Sequence, residues 1–410
     1  MALSNRVSED LRVLMPKIAV QVAQRSSKIP LIDMGTAENW LIREEVIQFC
    51  IHSVKETISP EGLSYQRGFT GDPDLIQAFC EFLESYFNPH QELDASCVCT
   101  APGGGAILES FLATTCDVGD GVLVIAPFWS GFHFQFKLQK VQILSVQVPD
   151  ELAFSEKIVD FLQKAFHDAH TTVKAVVICN PHNPLGQCYP ANTLAAIAQF
   201  CEKHDLHLLS DELYALSVFE SPDLPKASPF TSILRLDAKA IGVSPSRLHT
   251  MWSASKDLAC NGLRVGFFAS QNRELVVGVS MTSNTQVSYL SSLAVRGMLS
   301  DRKFLGDIIT FNKTRLSQAY HVVSTFLKRL NIEYFPVAAG VYVWAKLSPK
   351  VKTWEAEAEL AATLSERRVA ISSGRSYSSV EPGWYRLTFA LRPQDLKKGL
   401  AIIEEVLVQS

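Results

Sequence analysis

Lys256 lies in the segment MWSASKDLACNGLRVGFF (251–268), which is otherwise mostly apolar and also contains Arg264. Lysine and arginine side chains are usually solvated, so their position in an apolar run indicates a chemical role. A lysine in a partly desolvated pocket is more easily held as the free amine, which can attack a carbonyl to form a Schiff base. Ser253, Ser255 and the planar guanidinium of Arg264 would then be ligands for an oxyanion or a phosphate.

Three other motifs place polar or glycine residues directly after strand-like runs. TAPGGGAILES carries Gly104 and Gly105 at the start of a helical pattern, where backbone N–H groups can bind an anion. CNPHNPLG carries Asn183 in a rigid turn, and LHLLSDELYALSVF carries Asp211 directly after a buried run. Taken one at a time, each motif also has a purely structural interpretation, namely a glycine turn, a proline turn and a helix cap.

The elements that must position these residues are short apolar strands alternating with longer segments of helical period. Five runs have the pattern of strands buried on both faces, namely GVLVIAP (121–127), VQILSVQV (141–148), VKAVVIC (173–179), LHLLS (206–210) and RLHTMWS (247–253). Helical patterns such as FSEKIVDFLQKAFHDA and ANTLAAIAQFCEKH lie between several of them. The alternation predicts an α/β domain with a mostly parallel sheet sandwiched by helices, whose ligands bind beyond the carboxyl ends of the strands.

The pattern changes near Thr285. A long helical region, the strand-like GVYVWAKL, another helix, WYRLTFAL and a closing helix predict a smaller α+β domain. We therefore predict a large domain over residues 51–288, a small domain over residues 289–410, and an N-terminal segment, residues 1–50, that joins the small domain.

Composition limits the kinds of partner. A net charge of −4 and a pI near 6.2 give no basic excess for a phosphate backbone, so nucleic acid is not expected as a partner. The nine cysteines lie mostly in apolar runs without a CxxC pair, as in proteins of a reduced compartment. The N-terminal stretch has neither a continuous apolar signal region nor a spanning segment, so a cytoplasmic protein without a membrane partner is expected. The histidine pairs have no third ligand nearby, and no metal site is expected.

From about Ile32 to the C-terminus, the chain resembles the fold type I pyridoxal phosphate enzymes. The resemblance is to the class I/II aminotransferases, and among them to the branch that includes 1-aminocyclopropane-1-carboxylate synthase. It is carried by seven segments in the family's order, namely DMGTAENWL, APFWSGF, NPHNPLG, SDELY, SASKDLACNGLRVGF, MLSDRK and EPGWYRLTFA. The resemblance implies the aspartate aminotransferase-like fold, with a large domain and a smaller α+β domain, and pyridoxal 5′-phosphate as cofactor.

The resemblance also implies roles for individual residues. Lys256 matches the lysine that binds the cofactor covalently and then moves the proton at Cα of the substrate. Asp211 matches the carboxylate that keeps the ring nitrogen protonated, so that the ring can withdraw electrons. Asn183 and Tyr214 match the pair that hydrogen-bonds the phenolic oxygen of the ring, and Trp129 takes the place of the aromatic residue that stacks on it.

Two further groups of ligands are implied in the same way. The phosphate group of the cofactor is expected to bind to Gly104, Gly105, Ser253, Ser255 and Arg264. Arg386, in EPGWYRLTF, matches the arginine that binds the substrate α-carboxylate with two parallel hydrogen bonds.

Several residues depart from the family pattern or vary within it, and they bear on the reaction. Glu38 matches a glutamate beside the substrate of the cyclopropane-forming enzymes, but Phe69 stands where those enzymes have a tyrosine. Tyr65 is the alternative for that tyrosine, as in ordinary aminotransferases. Arg375 adds a guanidinium to a loop that borders the substrate in the family, and Arg67 lies near Phe69. These differences make cyclopropane formation the less favoured reaction.

Transamination between an amino acid and a 2-oxo acid is the first prediction for the function. A lyase of the cyclopropane-synthase or carbon–sulfur type, acting on a specialised metabolite, is the alternative, because both reactions share their first steps at Cα. A catalytically inactive binding protein would be marked by loss of Lys256 or Asp211, and both are present. The resemblance further implies a homodimer with shared active sites, in which the segment 281–290 crosses to the partner.

Overall fold

The structure is a computed structural model that describes residues 30–283 and 286–409, together with residues 11 and 15. Its strands, in chain order, are β1 (Ile32–Asp33), β2 (Val98–Ala101), β3 (Gly121–Ala126), β4 (Gln142–Gln147), β5 (Val173–Cys179), β6 (His207–Asp211), β7 (Leu248–Ser253), β8 (Gly266–Ser270), β9 (Glu333–Phe335), β10 (Tyr342–Lys346), β11 (Val369–Ala370), β12 (Ser372–Ser373) and β13 (Trp384–Thr388). Its helices are α1 (Arg43–Thr57), α2 (Pro73–Tyr86), α3 (Gly104–Thr115), α4 (Phe132–Gln139), α5 (Ile158–His167), α6 (Ala191–Lys203), α7 (Ala254–Asp257), α8 (Arg273–Ser283), α9 (Tyr289–Ser300), α10 (Arg302–Arg329), α11 (Trp354–Glu366) and α12 (Pro393–Gln409).

A seven-stranded sheet in the order β2-β8-β7-β6-β5-β3-β4 forms the centre of the larger part of the molecule. Strands β3 to β7 pair in parallel, and β8 runs antiparallel to both of its neighbours, β7 and β2. Strands β3, β5, β6 and β7 are almost entirely buried because helices cover both faces of the sheet. The predicted α/β sheet is therefore present.

Strand β4 differs from the prediction that all five runs are buried on both faces. Gln142, Ser145 and Gln147 are exposed, and Val146 is the one buried residue of this strand. The physical reason is its position, because β4 is the edge strand after β3 and has no strand on its other side. Polar residues are therefore tolerated in this strand where they meet solvent.

The smaller part of the molecule contains a four-stranded antiparallel sheet in the order β12-β13-β10-β9, and β1 pairs in parallel with β11. Helices α10, α11 and α12 pack with these strands around a second hydrophobic core. On β13, Tyr385 and Leu387 point into that core, whereas Arg386 and Thr388 lie on the opposite face because side chains alternate along a strand. This alternation turns Arg386 away from the core of its own sheet.

The chain crosses between the two hydrophobic cores twice, once near its N-terminus and once along α10. Near the N-terminus, Ile32, Met34 and Ala37 pack in the second core, whereas Ile42 and Val46 pack with the large sheet. Helix α9 packs against α1 and α2, and α10 begins against the large core and ends against the second one. The division at residues 50 and 288 stays a prediction. No helix in the described part of the chain is long and apolar enough to span a membrane.

Candidate active site

The carboxyl ends of the parallel strands bring the sequence motifs together. Asp211 is the last residue of β6, and it lies level with Cys179 at the end of β5 and Met251 on β7. The turn with Asn183 follows β5, and Ser253 ends β7 directly before α7. Three motifs that lie far apart in sequence therefore meet at one edge of the sheet, as the strand pattern predicts.

Lys256 lies in α7, and its amine is largely removed from solvent. Its Nζ donates a hydrogen bond of 2.6 Å to the backbone carbonyl of Ala37. Burial, together with the positive charges of Arg386 and Arg264, lowers the pKa of Lys256 from 10.5 to about 8, while Glu38 and Asp211 act in the opposite direction. These four side chains come from separate parts of the sequence, and the fold brings all of them close enough to act electrostatically on the amine.

Asp211 is a buried carboxyl group with weak partners. One oxygen faces the Cys179 thiol at 3.7 Å, and the other accepts a hydrogen bond of 3.3 Å from the backbone N–H of Leu213. Burial raises the pKa of Asp211 to about 7, against the smaller effects of those two bonds and of Lys256. A buried carboxylate is stable only with a strong donor, so this position suits a cationic N–H group of a bound molecule.

Arg386 reaches the same place from the small sheet. Its guanidinium donates to Asn183 Oδ1 at 3.1 Å and to the Gly35 carbonyl at 2.6 Å, and it lies over the rings of Tyr342 and Tyr377. Its Nε is buried and, among the described residues, has no hydrogen-bond partner. A buried arginine whose Nε–H donor has no partner is suited to bind a carboxylate. The exposed fraction of Arg386 is 3%.

The start of α3 forms a cradle with Arg264. Gly103 has a φ of 91°, and a Cβ atom built there would lie 2.4 Å from Arg264 Nη2, so only glycine lets the guanidinium approach. Arg264 donates to the Pro102 carbonyl at 2.9 Å, and Gly104 and Gly105 begin the helix. Together these features make an anion site at a helix N-terminus. Residue type and spacing indicated Gly104 and Gly105 but not Gly103.

Ser253 and Ser255 lie beside this cradle at the start of α7. The Ser253 hydroxyl donates to Ser255 Oγ at 2.6 Å and caps the helix by accepting from the Ser255 backbone N–H at 3.1 Å. Both side chains are buried. The cap explains why the chain turns at this point, and it places two hydroxyl groups within three residues of Lys256.

Tyr214 and Trp129 lie in the walls around these groups. Tyr214 is buried, its ring meets Tyr342 edge to face at 5.2 Å, and burial raises the pKa of its phenol. Trp129 is half-buried and packs on the core beneath β3, with its ring edge to face against Phe132. The roles predicted for both residues stay predictions.

Four other predicted residues, Tyr65, Arg67, Phe69 and Arg375, are exposed within this chain. Tyr65 is 92% exposed and Phe69 is 51% exposed, while Arg67 is paired with Asp74 at 3.1 Å. The Arg375 side chain is exposed, although its backbone N–H donates to Glu357 Oε1 at 3.0 Å. Glu38 does influence Lys256, but its carboxylate forms a hydrogen bond of 2.7 Å with Arg43.

Sequence reasoning missed several groups of the site. The carbonyls of Gly35 and Ala37 contact the two central cations, and backbone groups leave no signal in residue type. Tyr342 and Tyr377 flank Arg386, and the signal that could have found Tyr342 is its position in strand β10, next to β13. No group of three potential metal ligands occurs among residues 30–283 and 286–409.

The arrangement can therefore hold an anion, a cationic ring nitrogen and a carboxylate around one nucleophilic amine. The cradle at Gly103 and Arg264 fits the anion, Asp211 fits the cation and Arg386 fits the carboxylate. Lys256 supplies the amine, whose neutral form is more accessible near neutral pH than that of an ordinary lysine because its pKa is lowered to about 8.

Comparisons with known proteins agree with this chemistry. Residues 32–403 match the family described as aminotransferase class I and II. The chain is 38% identical over 411 residues to the probable aminotransferase aclI of Aspergillus oryzae, covering 99% of this chain and 98% of that protein. It is 29% identical over 379 residues to 1-aminocyclopropane-1-carboxylate synthase 1 of Cucurbita pepo, covering 89% of this chain and 76% of that protein.

The fold is also found among solved structures. A single mutant of the Thermus thermophilus aspartate aminotransferase superposes with a TM-score of 0.79 at 21% identity, covering 99% of this chain and 100% of that chain. This likeness confirms the predicted aspartate aminotransferase-like fold.

The lowered pKa of Lys256 predicts an unusual reactivity. Because only the neutral amine is nucleophilic, acetylation of Lys256 by acetic anhydride should rise with pH with a midpoint of about 8 instead of the ordinary 10.5. The measurement uses protein freed of bound small molecules, short labelling between about pH 6 and about pH 10, and mass spectrometry of the digest. The exposed Lys239 in the same digest is the internal reference, and a profile of Lys256 parallel to that of Lys239 would contradict the prediction.

Proposed function

The chain belongs to the class I and II aminotransferases, and on that premise we propose that it transfers the amino group of an α-amino acid to a 2-oxo acid. Membership of this family confirms the prediction of a pyridoxal 5′-phosphate-dependent enzyme that acts at Cα of an amino acid. The observation that carries the proposal is the buried Lys256 amine, which donates to the Ala37 carbonyl, two residues from the Gly35 carbonyl that Arg386 contacts, and on which Asp211 and Arg264 also act electrostatically.

The residues present fit pyridoxal 5′-phosphate. The anion cradle of Gly103, Gly104, Gly105 and Arg264 would hold the phosphate, with the buried hydroxyls of Ser253 and Ser255 beside it. The poorly paired Asp211 would hold the ring nitrogen. Asn183 Oδ1 accepts from Arg386, which leaves its amide N–H groups as donors for the phenolic oxygen, next to Tyr214.

When bound, the cofactor supplies an aldehyde for the amino group and a ring that withdraws electrons from Cα. The chain supplies binding and proton transfer. Arg386 binds the substrate carboxylate through its fork, including the unpaired Nε, and so fixes the orientation of Cα. Lys256, with its pKa of about 8, is suited to take the Cα proton and to return it elsewhere. A buried carboxylate at Asp211 stabilises positive charge on the ring nitrogen.

A lyase is the second candidate because Glu38 acts on Lys256, as expected for a residue near the substrate. The pairing of Glu38 with Arg43 and the apolar ring of Phe69 support transamination instead. The two reactions differ in their products, since a lyase releases a leaving group from Cβ or Cγ, whereas an aminotransferase needs a 2-oxo acid to complete its cycle.

A homodimer with shared sites is part of the proposal. Exposed apolar side chains concentrate on α1, on the loop that follows it, and on α8 and α9, namely Ile47, Ile51, Ile58, Leu63, Tyr65, Phe69, Val277, Met281 and Leu290. Helices α1 and α9 pack side by side, so much of this set forms one face. A second subunit covering it would bury Tyr65 and Phe69 and bring them to the partner's site. The crossing segment 281–290 includes residues 284 and 285, which lie outside the described residues.

The cytoplasm is the proposed location, supported by all nine cysteines being free thiols, most of them buried. Recovery of the protein in the cytosolic fraction of its native cells would test this, and recovery in an organelle or in the medium would contradict it.

Replacing the lysine gives the central test of the proposed reaction. We expect Lys256→Ala to abolish both turnover and the visible absorption of bound cofactor, while circular dichroism stays that of the parent. Lys239→Ala is the control and should retain both. In the parent enzyme, an amino acid should remove the cofactor absorption and a 2-oxo acid should restore it. Absorption that persists while a 2-oxo acid and ammonia or a thiol accumulate would show a lyase instead.

The dimer is tested by placing charges on the α1 face. We expect Ile47→Asp with Ile51→Asp to shift the protein from dimer to monomer in sedimentation and to reduce activity, because an unpaired charge is costly inside an interface. Val408→Asp, at an exposed position on α12, is the control and should stay dimeric. An active monomeric parent would contradict the proposal.

A further inference from the structure

A chain of buried polar side chains connects the N-terminal segment to the turn that carries Lys256. Asn39 Nδ2 donates to Asn312 Oδ1 at 2.7 Å, and Asn312 Nδ2 donates to Ser217 Oγ at 3.4 Å. The Ser217 hydroxyl donates to Asp257 Oδ1 at 2.6 Å. We call these four residues, Asn39, Asn312, Ser217 and Asp257, the polar relay. Each of them is at most 2% exposed.

Asn312 is a polar residue on the buried face of α10, the helix that packs against both hydrophobic cores. Its neighbours on the buried face of α10, Ile308 and Leu316, are apolar, and an amide there is unfavourable unless it is hydrogen-bonded. Its partners come from outside its own helix, with Asn39 on one side and Ser217 on the other. The amide therefore connects three segments that are distant in sequence.

The other end of the relay is fixed firmly. Asp257 also accepts hydrogen bonds from the Trp252 indole N–H at 2.8 Å and from the Leu216 backbone N–H at 3.0 Å. Three donors satisfy a carboxylate that is otherwise buried, so Asp257 is a rigid anchor next to Lys256. The catalytic role of Lys256 does not account for this second buried charge.

Both ends of the polar relay lie close to Lys256 along the chain or through a hydrogen bond. Asn39 is two residues from Ala37, whose carbonyl accepts from Lys256, and Asp257 directly follows Lys256. Two residues further back, the Gly35 carbonyl accepts from Arg386 at 2.6 Å and from the Ser372 hydroxyl at 3.0 Å. The segment 35–39 thus touches both cations of the site and is tied at its end to Asn312.

We propose that Asn39 and Asn312 are positioning residues, which hold the segment 35–39 so that its carbonyls fix the Lys256 amine and the Arg386 guanidinium. The two cations repel each other, and a carbonyl beside each one keeps them in place before a substrate arrives. The inference rests on the proposed reactive role of Lys256, but the contacts belong to the chain itself.

The test uses Asn312→Leu, which keeps nearly the same volume but removes both hydrogen bonds of the amide. Ser324→Ala is the matched control, because Ser324 is equally buried in α10 and bonds only to His321 within that helix, as far as the described residues show. Asn39→Ala is the second variant, and it removes the hydrogen bond from Asn39 to Asn312 without changing α10. The test therefore does not depend on whether the Asn312→Leu variant folds.

Two measurements on the full chain freed of cofactor report on the proposal. Hydrogen exchange of the peptide that covers residues 34–41 should be at least about tenfold faster in both variants and unchanged in the control. The midpoint of Lys256 acetylation should fall by about one pH unit, because the Ala37 carbonyl would no longer stabilise the charged amine. Glu38, Asp211, Arg264 and Arg386, which also face this amine, are unaltered in every variant.

Folded variants with parental exchange at residues 34–41 and a parental acetylation midpoint would overturn the proposal. A uniform increase of exchange throughout the molecule, with the midpoint unchanged, would also overturn it, because that result describes a purely structural amide. In the cofactor-loaded enzyme, KM for the amino acid should rise about tenfold with a smaller change in kcat. Failure to find transamination would leave the first two measurements valid, so the two proposals can fail separately.

Discussion

The arrangement of the site depends on one constraint, namely that the Lys256 amine is buried away from water and lies among other charged side chains. A buried lysine loses the solvation that stabilises its charged form, and the cations of Arg386 and Arg264 add to that effect. Glu38 and Asp211 limit the effect, so the pKa of the amine settles near 8 and not far lower. An amine with this pKa can act as a nucleophile and as a base near neutral pH, which a fully solvated lysine does far less readily.

This requirement explains why the site lies between two cores. The parallel sheet places Asp211, Asn183 and Ser253 at one edge. Arg386 comes from the opposite side, on the face of β13 that its own core does not use. Its hydrogen bond to Asn183 is therefore a contact between the two parts of the molecule as well as part of the site.

Residue type and spacing predicted much of this arrangement, because buried parallel strands are continuous apolar runs and the chemistry follows their ends. The prediction failed for β4, where neighbouring strands and not the local sequence decide exposure. It also missed Gly103, since three successive glycines do not reveal which one needs a positive φ, and the carbonyls of Gly35 and Ala37, whose function depends on backbone position alone. Tyr65, Phe69 and Arg375 were chosen by resemblance, and their exposure within one chain follows from long-range packing that no local pattern contains.

The turn after Lys256 contains two residues in the left-handed backbone conformation. Ala259 has a φ of 55°, and Arg264 has the same φ. A left-handed conformation costs a residue with a Cβ atom roughly 1–2 kcal/mol. Two features offset that cost. Leu258 and Cys260 are buried in the large core, and the Cys260 backbone N–H donates a hydrogen bond to the Ala254 carbonyl. Because the same turn begins at Lys256 and ends at Arg264, its strained geometry is what fixes the amine relative to the anion cradle, and the core that surrounds it sustains the strain.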